Sequence, residues 1–258
     1  VGVSVPYSAS ISVFILFIKL LTVPPEPCRL QLAVSGGACH TSAVMQVPDA
    51  IEARDVSVTF GETSIFEGVS FSIAPGEHVA LTGASGCGKS TLMRCLLGLV
   101  EPSSGDVSIL GEVISPQSVW RIRRNLALVP QEADLGAGLV RDFIDRPFGY
   151  RANAALAANR ERLPDLMRAV GLGVGLLSSV VGALSGGEKQ RIALVSALLL
   201  ERPILLLDEV TSALDRENRA RVCDLLAGLT STTIVGIVHE GEGMPFATRQ
   251  IAVDGGTM

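Results

Sequence analysis

A glycine-rich stretch that contains one lysine, GASGCGKST at residues 83–91, has the spacing of a phosphate-binding loop. It follows the apolar run His78–Thr82, which is typical of a buried strand, and precedes residues 92–99, which are typical of a helix. In such a loop, successive backbone N–H groups and the helix N-terminus converge on a phosphate. Lys89 would reach the β- and γ-phosphates, and Ser90 would offer its hydroxyl to Mg²⁺. The alternative is a glycine turn with an incidental lysine. The residues predicted to bind the nucleotide here are Gly83, Ala84, Ser85, Gly86, Cys87, Gly88, Lys89, Ser90 and Thr91.

Two adjacent carboxylates, Asp208 and Glu209, follow the apolar run at residues 204–207. A run without polar interruptions predicts a parallel strand that is buried on both faces. Ligands of open α/β sheets bind at the carboxyl ends of such strands, so both side chains are expected beside the phosphate loop. There Asp208 could hold the Mg²⁺ shell, and Glu209 could polarise the attacking water as a general base. The competing interpretation is an acidic strand end that faces solvent.

His239 and Phe60 are further candidates, each with a structural alternative. His239 ends the apolar segment at residues 232–238, so it is expected beside the γ-phosphate, although a lone histidine is more often structural. Phe60 ends the alternating segment Ile51–Phe60 and could stack on the adenine ring, because an aromatic face binds any base without hydrogen-bond readout. A core position for Phe60 is equally compatible with the sequence.

A second glycine turn, LSGGE at residues 184–188, opens the helical segment at residues 192–200 and is a second candidate phosphate site. The sequence contains one lysine-bearing phosphate loop. The second turn therefore predicts a two-fold dimer in which two ATP molecules are shared across the interface. The residues of this turn that are predicted to bind nucleotide are Ser185, Gly186, Gly187 and Glu188.

The segments around these motifs predict an α/β fold with two additions. Alternating segments between residues 51 and 73 predict antiparallel strands. From residue 137 onward the chain loses strand character, and residues 152–162 and 165–170 predict helices. This pattern indicates a small helical subdomain, at about residues 137–182, inserted into the α/β core.

Composition restricts the class of protein. The chain has 258 residues, of which 48% are hydrophobic and 18% charged, as expected of a globular protein with a substantial core. A net charge of −5 and the absence of a basic run argue against nucleic acid as a partner. The five cysteines are an odd number without metal-like spacing, which favours unpaired thiols in a reducing cytosol.

Residues 1–48 carry none of these motifs, and we expect them to be a disordered or spurious extension before a functional domain at residues 49–258. The apolar run at residues 11–21 contains Lys19 and is shorter than the ~20 residues of a membrane span. No basic residue precedes it, as one would in a secretory signal. Val1 in place of an initial Met would fit an over-extended reading frame. A membrane-surface anchor and a cleaved signal are the alternatives.

Taken together, the motifs resemble those of the ATP-binding-cassette (ABC) ATPases, over roughly residues 51–254. Many nucleotidases share the phosphate loop, but its ordered combination with Leu-Ser-Gly-Gly-Glu, residues 212–215 and His239 is specific. The resemblance implies a P-loop NTPase (RecA-like) α/β core with an antiparallel β subdomain and an inserted α-helical subdomain. It also implies ATP and Mg²⁺ as cofactors.

The resemblance further implies roles for individual residues. Gln131 would sense Mg²⁺ and the attacking water, and Ser185 and Gly187 would close over the γ-phosphate held by the other subunit. Asp215 would lie at the dimer interface. The predicted catalytic residues are Glu209, His239, Gln131 and Lys89, and the predicted metal ligands are Ser90, Gln131 and Asp208.

Four positions depart from the family pattern. Val210 stands where proline is common, Val238 where threonine usually precedes the histidine, Glu240 where aspartate often follows it, and Phe60 replaces a tyrosine. Because none of these changes removes a catalytic group, the ATPase is expected to be active. The run at residues 209–215 resembles that of small bacterial subunits assigned to iron or metal export.

The function implied by the resemblance is that of an ATP-hydrolysing subunit that dimerises head to tail and powers a transporter. A separately encoded permease would dock on the inserted helices through a coupling helix, at the cytoplasmic face of the cell membrane. The alternative is a soluble ABC ATPase that acts in DNA repair or translation. The single cassette, the lack of a coiled-coil insertion and the lack of a basic face argue against that alternative. A non-catalytic cassette would require the loss of Lys89, Glu209 or His239, and all three are present.

Overall fold

A computed structural model describes residues 48–238 and 243–253 of the chain. The predictions made for residues 1–47, for His239 and Glu240, and for the residues from 254 onward lie outside the described residues. Within the described ranges, none of the helices combines the length and the hydropathy of a membrane span.

The described residues form two sheets, with helices packed around them. The strands are β1 Ile51–Phe60, β2 Thr63–Ile73, β3 His78–Thr82, β4 Ser104–Ile109, β5 Glu112–Val113, β6 Leu126–Val129, β7 Ile204–Asp208, β8 Thr233–Ile237 and β9 Arg249–Ala252. The α-helices are α1 Lys89–Leu96, α2 Val119–Arg123, α3 Val140–Asp145, α4 Leu163–Ala169, α5 Gly186–Leu199 and α6 Arg216–Ala227.

The first sheet is antiparallel, with the strand order β2-β1-β4-β5. Its central strand β1 pairs Ile51 with Ile73 on one side and with Ile109 on the other. Two short strands are predicted from the sequence after residue 61, and the structure joins them into the single strand β2. The predicted antiparallel β subdomain is therefore confirmed.

The second sheet is parallel, with the strand order β6-β7-β8-β3-β9. The residues of β8 and residues 204–207 of β7 are all buried, which explains their uninterrupted apolar sequences. Because these strands run in the same direction, their carboxyl ends meet at one edge of the sheet. The described segments that carry the predicted catalytic residues Lys89, Gln131 and Glu209 follow β3, β6 and β7 at this edge.

Alternate residues of β7 show where the core lies. Ile204 and Leu206 pack into a cluster with α1 and the antiparallel sheet, whereas Leu205 and Leu207 pack into a second cluster with α5 and the inserted helices. Successive side chains of a strand point to opposite faces, so the parallel sheet has a hydrophobic core on each side. Packing on both faces holds the parallel sheet in place, and with it the carboxyl edge that carries the predicted site residues.

The segment between β6 and β7 is largely helical. In it α3 is followed by the 3-10 helices Arg146–Gly149 and Arg151–Arg162, and then by α4. Further 3-10 turns span Val174–Ser178 and Val181–Ala183 before α5 begins. The helix expected at residues 152–162 is thus present in 3-10 form.

Candidate active site

The phosphate loop connects β3 to α1, as the sequence predicts. Gly86 and Gly88 have positive φ angles of 83° and 99°, a backbone region that favours glycine. A Cβ atom on Gly88 would lie 2.8 Å from side-chain carbons of Ile65 and Phe66 in β2, so only glycine lets the loop pass there. Left-handed residues within a turn direct neighbouring N–H groups into a concavity that binds anions. This geometry is suited to a phosphate.

Lys89 lies inside this loop and is 8% exposed. Its Nζ donates hydrogen bonds to the carbonyl oxygens of Gly83 at 2.6 Å and Ala84 at 2.9 Å, and lies 3.9 Å from Cys87 Sγ. The first turn of α1, all of it described, holds no acidic residue, so no carboxylate of that turn offsets the partial positive charge at the helix N-terminus. The loop therefore presents a lysine ammonium and a helix N-terminus to the same space.

The carboxyl ends of β6 and β7 bring two predicted catalytic residues into contact. Asp208 ends β7, and Glu209 follows it with a φ angle of 52° and donates its N–H to Ile237 O at 3.3 Å. Gln131, two residues beyond β6, donates from Nε2 to Glu209 Oε2 at 2.5 Å. An amide thus orients the carboxylate of the proposed base.

Sequence reasoning missed a residue that supports this contact. Gln190 on α5 is 3% exposed, and its Nε2 donates to Pro130 O at 2.8 Å. This bond fixes the backbone immediately before Gln131. The signal in the sequence is a glutamine two residues before the apolar stretch of α5 that begins at Ile192; the helix is buried from residue 190 to residue 199.

The second glycine turn is a capped helix start. Ser185 is the N-cap of α5, and its backbone N–H and hydroxyl each donate to Glu188 Oε2 at 2.8 Å. The Glu188 N–H donates back to Ser185 Oγ at 3.3 Å, which completes a capping box. These hydrogen bonds to its ionised form lower the pKa of Glu188. Ser185 and Gly186 are exposed, so the turn presents its polar groups to solvent.

The remaining predicted residues occupy separate positions. Phe60 is 53% exposed at the end of β1, which is incompatible with a core position and leaves its ring face accessible. Ser90 is exposed on the first turn of α1. Asp215 caps α6 by accepting a hydrogen bond from the Asn218 N–H at 2.9 Å. His239 lies outside the described residues, so its position stays a prediction.

The sequence is similar to proteins of one family. A family model described as "ABC transporter" matches residues 66–212. The ABC transporter ATP-binding protein RamB of Streptomyces coelicolor is 36% identical over 223 residues, which are 84% of this chain and 35% of that protein. The methionine import ATP-binding protein MetN of Brucella abortus is 36% identical over 237 residues, which are 86% of this chain and 64% of that protein. The chain thus spans less than two thirds of the length of these relatives.

Solved structures of ABC cassettes share the fold. One is a dimer of an ATP-binding cassette in a post-hydrolysis state with ADP and Pi, at a TM-score of 0.70 and 28% identity, covering 79% of this chain and 94% of that one. Another is a bacterial Atm1-family ABC exporter with ATP bound, at a TM-score of 0.68 and 26% identity, covering 82% of this chain and 39% of that one.

Proposed function

This chain belongs to the ABC transporter family, and we propose that it binds and hydrolyses ATP as the ATP-binding subunit of a membrane transporter. The observation that carries this proposal is the contact between Gln131 and Glu209 at the sheet edge that also holds the phosphate loop. A phosphate loop alone would support nucleotide binding. A carboxylate held by an amide at the same edge adds a candidate base for hydrolysis.

The loop at residues 83–91 would bind the phosphates of ATP through its backbone N–H groups and Lys89. The exposed ring of Phe60 would stack on adenine. Lys89 Nζ donates to the carbonyl oxygens of Gly83 and Ala84, so its ammonium lies inside the loop that would hold the phosphates.

Mg²⁺ would be held by the oxygen atoms of Ser90, Gln131 and Asp208. A hydroxyl, an amide carbonyl and a carboxylate are the hard oxygen donors that this ion prefers. When bound, the ion would neutralise charge that develops on the β- and γ-phosphates. The donor set present in the chain therefore fits Mg²⁺.

Glu209 would act on the water that attacks the γ-phosphorus. As the new P–O bond forms and the bond to the β-phosphate oxygen breaks, Glu209 would accept a proton from the water, and ADP and phosphate would leave. Gln131 would hold the Glu209 carboxylate in the orientation that this transfer needs. We place His239 beside the γ-phosphate, as implied by its position after β8.

The active unit in this proposal is a head-to-tail dimer. Ser185 and Gly187 of one subunit would close over the γ-phosphate bound by the other, and the exposure of the Ser185 turn supports this role. A permease would dock on the helices between β6 and β7 and hold the dimer at the cytoplasmic face of the membrane. The similar proteins named above are transporter proteins, which favours transport over DNA repair or translation.

The variant Lys89→Ala tests this function. Removal of the cation from the loop should reduce ATP hydrolysis by at least ~10²-fold, comparable to the loss of a key charge-stabilising donor, and should weaken ATP binding. The matched control is Arg94→Gln, which removes one positive charge from the exposed face of the same helix. Phosphate release and equilibrium ATP binding should be measured for both. Hydrolysis by Lys89→Ala that matches the unchanged protein would refute the assignment.

A further inference from the structure

Arg191 is a buried cation at the point where three segments of the chain meet. It lies on α5 and is 9% exposed. Its Nε donates to Gly187 O at 3.2 Å, within the first turn of its own helix. Its Nη1 donates to the carbonyls of Val170 at 3.0 Å and Gly171 at 3.2 Å, where α4 ends, and to Asn218 Oδ1 at 2.6 Å in α6. One guanidinium thus joins α4, α5 and α6.

Asn218 extends this network to the start of α6. Its Nδ2 donates to Asp215 Oδ2 at 2.5 Å, and its backbone N–H donates to Asp215 Oδ1 at 2.9 Å. The side-chain oxygen of Asn218 is used by Arg191 while its side-chain nitrogen is used by Asp215. The amide therefore connects the buried arginine to an exposed carboxylate at the helix N-cap.

The end of α4 is shaped to allow the contact between Arg191 and Asn218. Gly171 has a φ angle of 72°, and a Cβ atom on it would lie 2.8 Å from Asn218 Oδ1 and 3.4 Å from Arg191 Nη1. A side chain at this position would have to displace one or both partners. The close approach of the three segments thus depends on glycine at residue 171.

Asp215 ends a continuous turn that begins at Glu209. The Ser212 Oγ and N–H donate to Glu209 O at 2.8 Å and 3.1 Å, and the Leu214 N–H donates to the carbonyl of Thr211 at 3.3 Å. A Cβ atom on Gly187 would lie 3.3 Å from Ala213 O, so the turn at residues 184–188 packs directly against this segment. Residues 209–215 therefore connect the proposed base to the network around Arg191.

We infer that Arg191 and Asn218 are a positioning pair that couples the 184–188 turn to Glu209 of the same subunit. The inference rests on the proposed function, in which that turn faces the nucleotide of the other subunit. Arg191 fixes the turn through Gly187, and Asn218 fixes the end of the segment that carries Glu209. Closure of the turn over one nucleotide thereby sets the geometry of the base that acts on the other.

The physical basis is the planar guanidinium of Arg191, whose Nε and Nη1 atoms both donate hydrogen bonds from a buried position. A guanidinium presents its N–H donors in a fixed planar arrangement, so it holds several acceptors at set directions, as a lysine cannot. Loss of Asn218 Oδ1 removes the shortest of these hydrogen bonds, and a hydrogen bond to a charged group contributes more than one between neutral groups. The pair is therefore suited to keep two turns in one relative position.

The test uses Asn218→Ala, because it removes the acceptor for Arg191 and leaves the buried charge in place. In a Glu209→Gln background, which slows hydrolysis, sedimentation velocity gives the monomer–dimer equilibrium in MgATP, and a filter assay gives ATP affinity. Below the dimer dissociation constant, we expect the ATP affinity of the monomer to be unchanged. The dimer dissociation constant in MgATP should rise by about tenfold or more, which corresponds to ~1.4 kcal/mol. With Glu209 intact, kcat measured at protein concentrations that saturate dimerisation should fall, because the base is no longer held in position.

Two further variants separate positioning from a general loss of stability. Arg191→Lys keeps the charge but cannot reach the same acceptors, so the double variant with Asn218→Ala should dimerise no more weakly than Arg191→Lys alone. Arg168→Gln, on the exposed face of α4, removes an arginine outside this network and should dimerise like the parent. Thermal unfolding should be measured for each variant, to establish that it is folded at the assay temperature.

The outcomes distinguish this inference from the proposed function. A Glu209→Gln parent that fails to bind ATP would overturn the proposed function. A parent that binds ATP and dimerises, with an Asn218→Ala variant that dimerises equally well and has unchanged kcat, would overturn the coupling inference alone. A parent that binds ATP but stays monomeric at high protein concentration would overturn both the shared site and the coupling.

Discussion

Glu209 has the left-handed backbone that non-glycine residues rarely adopt, at the position where the proposed base must face the phosphate loop. Such a conformation destabilises the fold by about 1–3 kcal/mol and persists where surrounding contacts enforce it. Here its N–H is held by Ile237 O, and its carbonyl accepts two hydrogen bonds from Ser212. This left-handed residue follows directly on Asp208, the last residue of β7.

Two glycines of the phosphate loop give a prediction at the same scale. Gly83 has a φ angle of 145°, and a Cβ atom on it would lie 2.5 Å from Val253 O, whereas the space around Gly86 is open. Gly83→Ala should therefore lower the free energy of unfolding by more than ~2 kcal/mol, because steric overlap adds to backbone strain, and Gly86→Ala by about 1–2 kcal/mol from strain alone. Urea denaturation of both variants measures the difference. If both variants lost the same free energy of unfolding, the steric overlap between the new Cβ atom and Val253 O would not contribute to stability.

Residue types and spacing predict which side chains take part in the site, but not which of them touch. The loop at residues 83–91 and the pair Asp208 and Glu209 follow from motif and strand position. The hydrogen bond from Gln131 to Glu209 does not, since it depends on the register between β6 and β7. The buried Gln190 that fixes Pro130 also requires the packing of α5 against the sheet.

At the scale of elements, α5 carries much of the site's geometry. Its N-cap holds the turn at residues 184–188, its first turns supply Gln190 and Arg191, and its apolar remainder is buried between the parallel sheet and the inserted helices. A helix buried on all sides has few ways to shift without loss of packing. The turn that it presents is thus held by the core of the molecule.

The capping box of α5 predicts a dependence of stability on pH. Hydrogen bonds from Ser185 lower the pKa of Glu188 in the folded state below its ordinary value of 4.5. The stabilisation is fully present above that ordinary value and is lost as pH falls through the lowered folded pKa. The Glu188→Gln variant keeps a neutral acceptor at every pH. Near neutral pH, the free energy of unfolding of the protein with Glu188 should therefore be higher than that of the variant by about 0.5–1 kcal/mol.

Urea denaturation as a function of pH measures this effect. The difference between the two proteins should shrink as the medium is acidified below the ordinary carboxyl pKa. Asp215, whose pKa is also lowered, chiefly by hydrogen bonds from Asn218, is present in both proteins, so its contribution cancels. A difference that is constant through the acid range would mean that the charge of Glu188 does not contribute to the cap.

Elements differ in how well their sequences predict them. The buried strands β3, β7 and β8 have uninterrupted apolar runs and are predicted to within about two residues, the usual uncertainty of element ends. Helix α6 has only Val222 and Leu226 buried, so its sequence lacks an apolar stripe and does not predict a helix there. Strand β9 is mostly exposed at the sheet edge and was missed for the same reason.

At the scale of the whole molecule, every predicted site residue, from Phe60 to His239, lies after residue 48 in the sequence. We propose that the functional unit begins there. Deletion of residues 1–47 should therefore leave the thermal unfolding temperature and the ATPase rate unchanged. A truncated protein that is insoluble or inactive would show that this segment is part of the functional unit.

In the proposed dimer, two copies of the chain share two ATP molecules. Glu209→Gln should keep ATP bound while slowing the attack of water by about 10²–10⁴-fold, the usual effect of a general base. The subunits should then stay closed around the nucleotide. A second change, Ser185→Arg, places a bulky side chain in the exposed turn that would face the partner's nucleotide.

The most direct measurement is the mass of Glu209→Gln in solution, by size-exclusion chromatography with light scattering, over a range of protein concentrations. The proposed shared site predicts a dimer in MgATP, a monomer in ADP, and a monomer that still binds ATP when Ser185→Arg is added. A Glu209→Gln protein that binds MgATP and stays monomeric at every concentration, or a dimer that Ser185→Arg leaves intact, would contradict the shared site.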